Sequence, residues 1–309
     1  MRKITYLLLS LLFIGINSLQ AQVKRDDVKK LVEDGKPKKA LELVQKDIDK
    51  NGETPENLSM KSDVLMFING DKCWENIQYT IQKFPKSPRP YISRGMFYYE
   101  LRQMQNSLND YTKALEYCTD DSTRFEILIN RSGTYHNFDQ AEASIADVKE
   151  ALKIRPGNID ALNNLATNLF DHKEYEEAEN TLLQMKAVDS TYMGVYINLG
   201  YQLQQRGDYK KAEYYLLQGL AISPDHPYVL NNLGYAQFKL GKTKEALASV
   251  NRSLKFYPEN SYAYRNLALI YIELKDKEKA CENIQKALGW KFTEMYGNEV
   301  KELREKHCL

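Results

Sequence analysis

The chain has 309 residues and a formal net charge of +1, so no global field marks it as a binder of nucleic acid. Glycine and proline number only 15 and 9 against 22 tyrosines, which argues against a disordered or fibrous chain and suits packed helices.

The first predicted element is a leader. Met1-Arg2-Lys3 is basic, Ile4 to Ile16 is mainly apolar, and a polar stretch ends at Ala21-Gln22. That is the layout of a secretion signal removed after Ala21. The apolar run falls short of the about 20 residues of a membrane span. Leu19 is larger than the residue usually found three before such a cut, and an uncleaved anchor is the alternative. No cysteine stands at the cut, so lipoprotein processing is not expected. Removing Arg2 and Lys3, with no acid, takes the formal charge from +1 to −1. The expected product is exported, has no stable membrane insertion after cleavage, and resides in the periplasm or against the outer membrane of a Gram-negative bacterium.

The rest of the chain follows a 34-residue period, clearest from Ile159 to Pro258. Leu165, Leu199 and Leu233 are each followed by a small residue, Ala166, Gly200 and Gly234, and Ala178, Ala212 and Ala246 come 13 residues after the leucines. Segments such as NNLGYAQFKLGKTKEALASVNRSLKFYP resemble the tetratricopeptide repeat in nearly every signature position. The resemblance implies an all-α fold, an α-solenoid: a right-handed superhelix of about eight two-helix units closed by a C-terminal capping helix.

In chain order, residues 22–87 read as two degenerate units. Leu31, Gly35, Ala40 and Val44 fit the first; Gly70-Asp71-Lys72-Cys73 and Phe84-Pro85 mark the turn and end of the second. Six units follow over 88–292. The step from the Pro88 unit to the Phe125 unit is 37 residues rather than 34, which predicts three extra residues in a loop near Cys118 to Thr123. Later units start at Ile159, Met193, Pro227 and Ser261. In each, apolar residues at helical spacing flank a turn such as Gly207-Asp208 or Gly241-Lys242, where glycine supplies left-handed backbone. Residues 293–309 are the cap, predicted as one helix from Glu294 to Lys306.

Little here carries chemistry. The histidines are scattered, and there is no P-loop, GxSxG or paired Cys-x-x-Cys. No catalytic residue, metal ligand or cofactor is therefore predicted, nor a small-molecule substrate. Arg206-Gly207-Asp208 spells an adhesion tripeptide but lies where the repeat needs a turn. Cys281 and Cys308 can meet if the cap runs antiparallel to the last repeat's second helix. They form either a disulfide, worth roughly 3 kcal/mol in the entropic account, or two separate thiols. Cys73 and Cys118 read as small buried groups.

The resemblance also assigns a surface. Asn130, Asn164, Asn198, Asn232 and Asn266 share the sixth position of five units, on the first helix, which in this family faces the concave groove. Asparagine offers donor and acceptor to a peptide backbone whatever the ligand's side chains. The alternative is that asparagine is simply common at this position. Around it stand Asn163, Asn231 and Arg265 at the fifth position, Tyr201 and Tyr235 at the ninth, and Tyr228 and Tyr262 at the second. The reading is a non-catalytic scaffold that binds an extended peptide or partner protein in this groove. Its rivals are a structural subunit of an envelope complex, held through the convex face or the N-terminal units, and an enzyme with an unrecognised site.

Overall fold

The computed structural model describes residues 23–309, and the leader expected over residues 1–21 lies outside them. Among the described residues there are eighteen helices and no strand. They belong to two compact units, one ending at Pro156 and one spanning Gly157–Leu309. The first unit holds four helix pairs: α1 (Arg25–Glu33) with α2 (Pro37–Asn51), α3 (Pro55–Leu65) with α4 (Gly70–Lys83), α5 (Pro88–Glu100) with α6 (Met104–Tyr117), and α7 (Asp121–Asn137) with α8 (Ala141–Ile154). The second holds α9 (Ile159–Asp171) with α10 (Tyr175–Val188), α11 (Met193–Gln205) with α12 (Tyr209–Ile222), α13 (Pro227–Lys239) with α14 (Thr243–Phe256), and α15 (Ser261–Glu273) with α16 (Lys277–Gly289). Two short helices, α17 (Phe292–Tyr296) and α18 (Glu299–His307), end it.

Small residues set how closely each pair packs. A Cβ on Gly95 would meet the Tyr111 ring at 2.9 Å, and one on Gly200 would meet Leu216 Cδ2 at 2.5 Å. Their counterparts on the second helices, among them Ala178, Ala212 and Ala246, are fully buried. Local capping fixes where helices start. Thr54 and Asn57 form a reciprocal capping box at the head of α3, and Asn57 also donates to Asp47 at 3.1 Å and to the Gly52 carbonyl at 2.9 Å.

Seven pair turns place a residue with left-handed backbone just before the N-cap of the second helix: Gly35, Arg102, Asp139, Lys173, Gly207, Gly241 and Lys275, with φ from 57° to 81°. Glycine was expected to supply this conformation, yet four of the seven carry a side chain. The turn's hydrogen bonds enforce it, as where Asp276 N–H reaches back to the Tyr271 carbonyl at 3.0 Å.

Three expectations are corrected. The extra residues between α6 and α7 do not lengthen a loop; α7 starts at Asp121 and runs 17 residues against 13 for α9. Asp120 caps it, accepting from Thr123 N–H at 2.8 Å, and hydrogen bonding from that N–H holds its carboxyl below the usual carboxylate range. A strong cap followed by Asp121 in the first turn makes one more helical turn the better use of the insertion. The cap, expected as one helix, is two, because Gly297 at φ 93° interrupts it. Cys73 is fully buried, its thiol pushed up to about 12 by burial and by Asp63; Cys118, expected to be buried, is half-exposed beside the α6–α7 connection.

Lys275→Gly should stabilise α15–α16 by up to about 1 kcal/mol, because a side chain in left-handed backbone costs about 1–2 kcal/mol and glycine gives part of that back in unfolded-state entropy. Gly241→Ala should destabilise α13–α14 by a similar amount, both read by local hydrogen exchange in urea. Asp120→Ala should cost about 1 kcal/mol in the first turn of α7, read as faster exchange at residues 121–124 with α5 unchanged.

Candidate peptide-binding face

In the second unit the fifth and sixth positions of the first helices lie side by side. Asn198 Nδ2 on α11 donates to Asn163 Oδ1 on α9 at 2.6 Å. Two repeats later the same link recurs, with Asn266 Nδ2 on α15 donating to Asn231 Oδ1 on α13 at 2.9 Å. The fifth-position asparagine of one repeat thus accepts from the sixth-position asparagine two helices on. This holds successive first helices in register and removes part of the donor capacity that the sequence assigned to a ligand.

Exposure divides the predicted residues further. Asn266 and Asn231 are 1% and 3% exposed, and Arg265 is 8% exposed, so none of the three presents itself to a peptide in this structure. Their polar atoms are satisfied internally: Arg265 Nη1 donates to Asn266 Oδ1 at 2.9 Å, and Arg265 Nε donates to the two Glu299 carboxylate oxygens at 3.1 and 3.0 Å. The guanidinium lies between the rings of Tyr235 and Tyr262, 5.0 and 5.4 Å from their centroids. Burial alone would pull its pKa down; the hydrogen-bonded Glu299 carboxylate reverses this and keeps the charge in place. Counting 34 residues from Arg265 lands on Glu299, so the period itself could have identified this partner.

What remains accessible lies nearer the start of the second unit. Asn163, Asn164, Asn198 and Asn232 are half-buried, and Tyr201 and Tyr228 are 45% and 49% exposed. Tyr201 is braced by Phe170 at 6.1 Å, and Tyr228 by Tyr257 at 5.7 Å. Tyr235 and Tyr262 are spent on Arg265, and Tyr262 also packs on Phe292 and Tyr296 at 5.5 and 5.1 Å. Asn130 belongs to the first unit, half-buried on α7, where its carbonyl accepts from Thr134 Oγ1 at 3.1 Å.

The first unit organises its first helices with charge instead. Arg25 on α1 donates to Glu56 on α3 at 3.0 Å and also pairs with Asp63. Glu56 in turn meets Arg89 on α5 at 2.5 Å, and Arg89 meets Glu126 on α7 at 2.6 Å. Within pairs, Arg94 grips Asp110 and Arg131 grips Asp147, each through two bonds of 2.7–2.8 Å. Sequence reading missed these chains, although Arg89 and Glu126 share the second position of successive units.

Cys281 on α16 and Cys308 at the end of α18 form a disulfide. No group of three or more histidine, cysteine or acidic side chains among the described residues could hold a metal ion. None of the described helices is long and apolar enough to cross a membrane.

Asn231→Ala would leave the buried Asn266 amide without its acceptor and should cost about 1–3 kcal/mol. Asn164→Ala makes no such hole and should stay within about 0.5 kcal/mol. Urea titrations followed by hydrogen exchange of α15 separate the two.

Tetratricopeptide repeat models match residues 88–121, 136–191, 191–259 and 231–289, together more than half of the chain. No curated protein sequence matches it. Among solved structures, a tetratricopeptide repeat protein from Parabacteroides merdae is 19% identical with a TM-score of 0.57, over 91% of this chain and 95% of that one. The C-terminal part of a repeat protein from Cytophaga hutchinsonii is 17% identical with a TM-score of 0.59, over 78% and 98%. A chain of the APC/C hetero-tetramer Cut9-Hcn1 is 13% identical with a TM-score of 0.59; the match covers 88% of this chain but only 53% of that one, about half its length. At these identities the likeness concerns the fold. With the repeat period, the paired helices and the matched models in agreement, the chain belongs to the tetratricopeptide repeat family, whose members are typically protein-binding scaffolds without catalysis of their own.

Proposed function

We propose that this protein is an exported, non-catalytic scaffold that binds an extended peptide segment of a partner protein on the first-helix face of its second unit. The observation that carries the reading is the row of half-buried amides on α9, α11 and α13, flanked by the exposed rings of Tyr201 and Tyr228. Amides bind backbone without regard to sequence, and aromatic rings add contact area at low entropic cost. Asn164, Asn198 and Asn232 mark two helix-to-helix steps of roughly 10 Å each. An extended peptide of about six residues covers that span. Each neutral hydrogen bond nets only about 0.5–1.5 kcal/mol and ordering the peptide offsets much of the total, so affinity should be micromolar or weaker.

Export rests on the basic start, the apolar run and Ala21, and a disulfide between Cys281 and Cys308 fits an oxidising compartment. One observation favours a second reading, a structural subunit of an envelope complex. On the second helices Val188, Tyr214 and Leu217 are 51%, 60% and 50% exposed, a surface that could hold a permanent neighbour.

Affinity capture from an envelope extract with the chain from Gln22 onward, beside an Asn198→Ala, Asn232→Ala double variant, tests the proposal. Partners should be lost from the double variant and kept by Tyr214→Ser, Leu217→Ser. The opposite pattern would transfer the function to the second-helix face.

A further inference from the structure

The C-terminal helices occupy the place of an unfinished ninth repeat. Arg265 and Glu299 are one period apart, and α18 presents Glu299 to Arg265 much as α11 presents Asn198 to Asn163 and α15 presents Asn266 to Asn231. One small apolar cluster keeps this half repeat there, with Phe292, Val300 and half-buried Leu303 packed on Ala268, Ile284 and Ala287. α18 is nine residues long with Val300 as its one buried residue, and helices shorter than about 12 residues are marginal by themselves. α17 is five residues long and contributes Phe292. Lys291 and Gly297, at φ 60° and 93°, bracket α17 with left-handed backbone. Beyond that cluster and the packing of Phe292 and Tyr296 on Tyr262, two attachments hold it: the Glu299–Arg265 ion pair, in which the Glu299 side chain is 42% exposed, and the Cys281–Cys308 disulfide.

We infer that this disulfide is a lock that keeps the half repeat over the end of the peptide-binding face, and that its reduction releases α17 and α18. Release would uncover Arg265 and Tyr262, which Glu299, Phe292 and Tyr296 contact, and so lengthen the accessible face by one repeat. The lengthening rests on the function proposed above; the release does not. A dithiol reductant supplies the two electrons and two protons: the Cys281–Cys308 bond breaks, each sulfur takes up one proton to become a thiol, and the reductant becomes a disulfide. The bond joins residues 27 apart. In the entropic account, losing such a tether raises the open population of what it restrains by up to about a hundredfold. The free thiols Cys73 and Cys118 lie in the first unit and take no part.

The test is hydrogen exchange and hydroxyl-radical footprinting on the full chain, oxidised, reduced with dithiothreitol, and as a Cys281→Ser, Cys308→Ser double variant. Both opened samples should exchange residues 299–307 at least tenfold faster than the oxidised chain and label Tyr262 and Phe292 more strongly, with α11 and α13 unchanged. A change below tenfold in either opened sample, or faster exchange spreading equally through α11 and α13, overturns the lock. No partner is present in this measurement, so a failed peptide-binding proposal would show in the capture experiment alone.

Discussion

Close backbone approach at the small residues of each helix pair is the contact on which the rest of the molecule depends. Gly200 beneath Leu216 and Gly95 beneath Tyr111 leave no room for a Cβ, so the first and second helices of a pair meet at a fixed depth and angle. Once that depth is set, the flanking apolar residues, such as Leu199 and Leu233, are carried into the core between neighbouring pairs. A single pair leaves that apolar face open, and stability is accordingly a property of neighbours. The same contact orients the opposite side of every first helix, because a helix pinned along one stripe has only one face left for solvent or ligand.

That remaining face carries polar groups, and the two units satisfy them differently. In the first, alternating charges run from Arg25 through Glu56 and Arg89 to Glu126. Burial alone would pull the Arg25 guanidinium down, and Asp63, Glu56 and Glu126 more than reverse it, so the charge persists. Such a chain is selective, since a slip in register would leave a half-buried ion without its partner. In the second unit, paired amides do the same work without charge, Asn198 with Asn163 and Asn266 with Asn231. An amide keeps spare donors and acceptors after making one bond, whereas a paired charge is largely spent. The second unit is therefore the one whose first-helix face retains capacity for a peptide.

The period made the helices legible in the sequence. Leu165, Leu199 and Leu233 with their following small residues fix helix and turn positions to the residue, and α9, α11, α13 and α15 start where the count places them. What escaped was whatever the period does not encode. Spacing reveals an insertion before Phe125 but not its conformation, which hinged on Asp120 as a cap. Periodicity likewise ignores Gly297, whose backbone splits the last helix. The asparagine register was visible, yet whether an amide faces a ligand or its neighbour depends on a few ångströms of side-chain placement. Asn266 and Asn232 share a register position and differ in burial, Asn266 lying against Asn231 and Arg265.

The end of a repeat stack poses a physical problem that explains this difference. Within the second unit α11 and α13 have a first helix on each side; α15, the last, has one only. An asparagine at the fifth position of the last repeat would face water harmlessly, but the chain has Arg265 there, between two tyrosine rings and largely removed from solvent. A guanidinium so placed needs an anion, and the next period supplies one in Glu299. The half repeat supplies that carboxylate together with Phe292 and Val300 on two short helices. So small an element buries little beyond Phe292, Val300 and part of Leu303 to offset the ordering of α17 and α18. A covalent tether from the far end of α18 back to α16 adds to that burial. The short half repeat is thus joined to the second unit by the disulfide as well as by burial, and it covers Arg265 and Tyr262 at the end of the first-helix face.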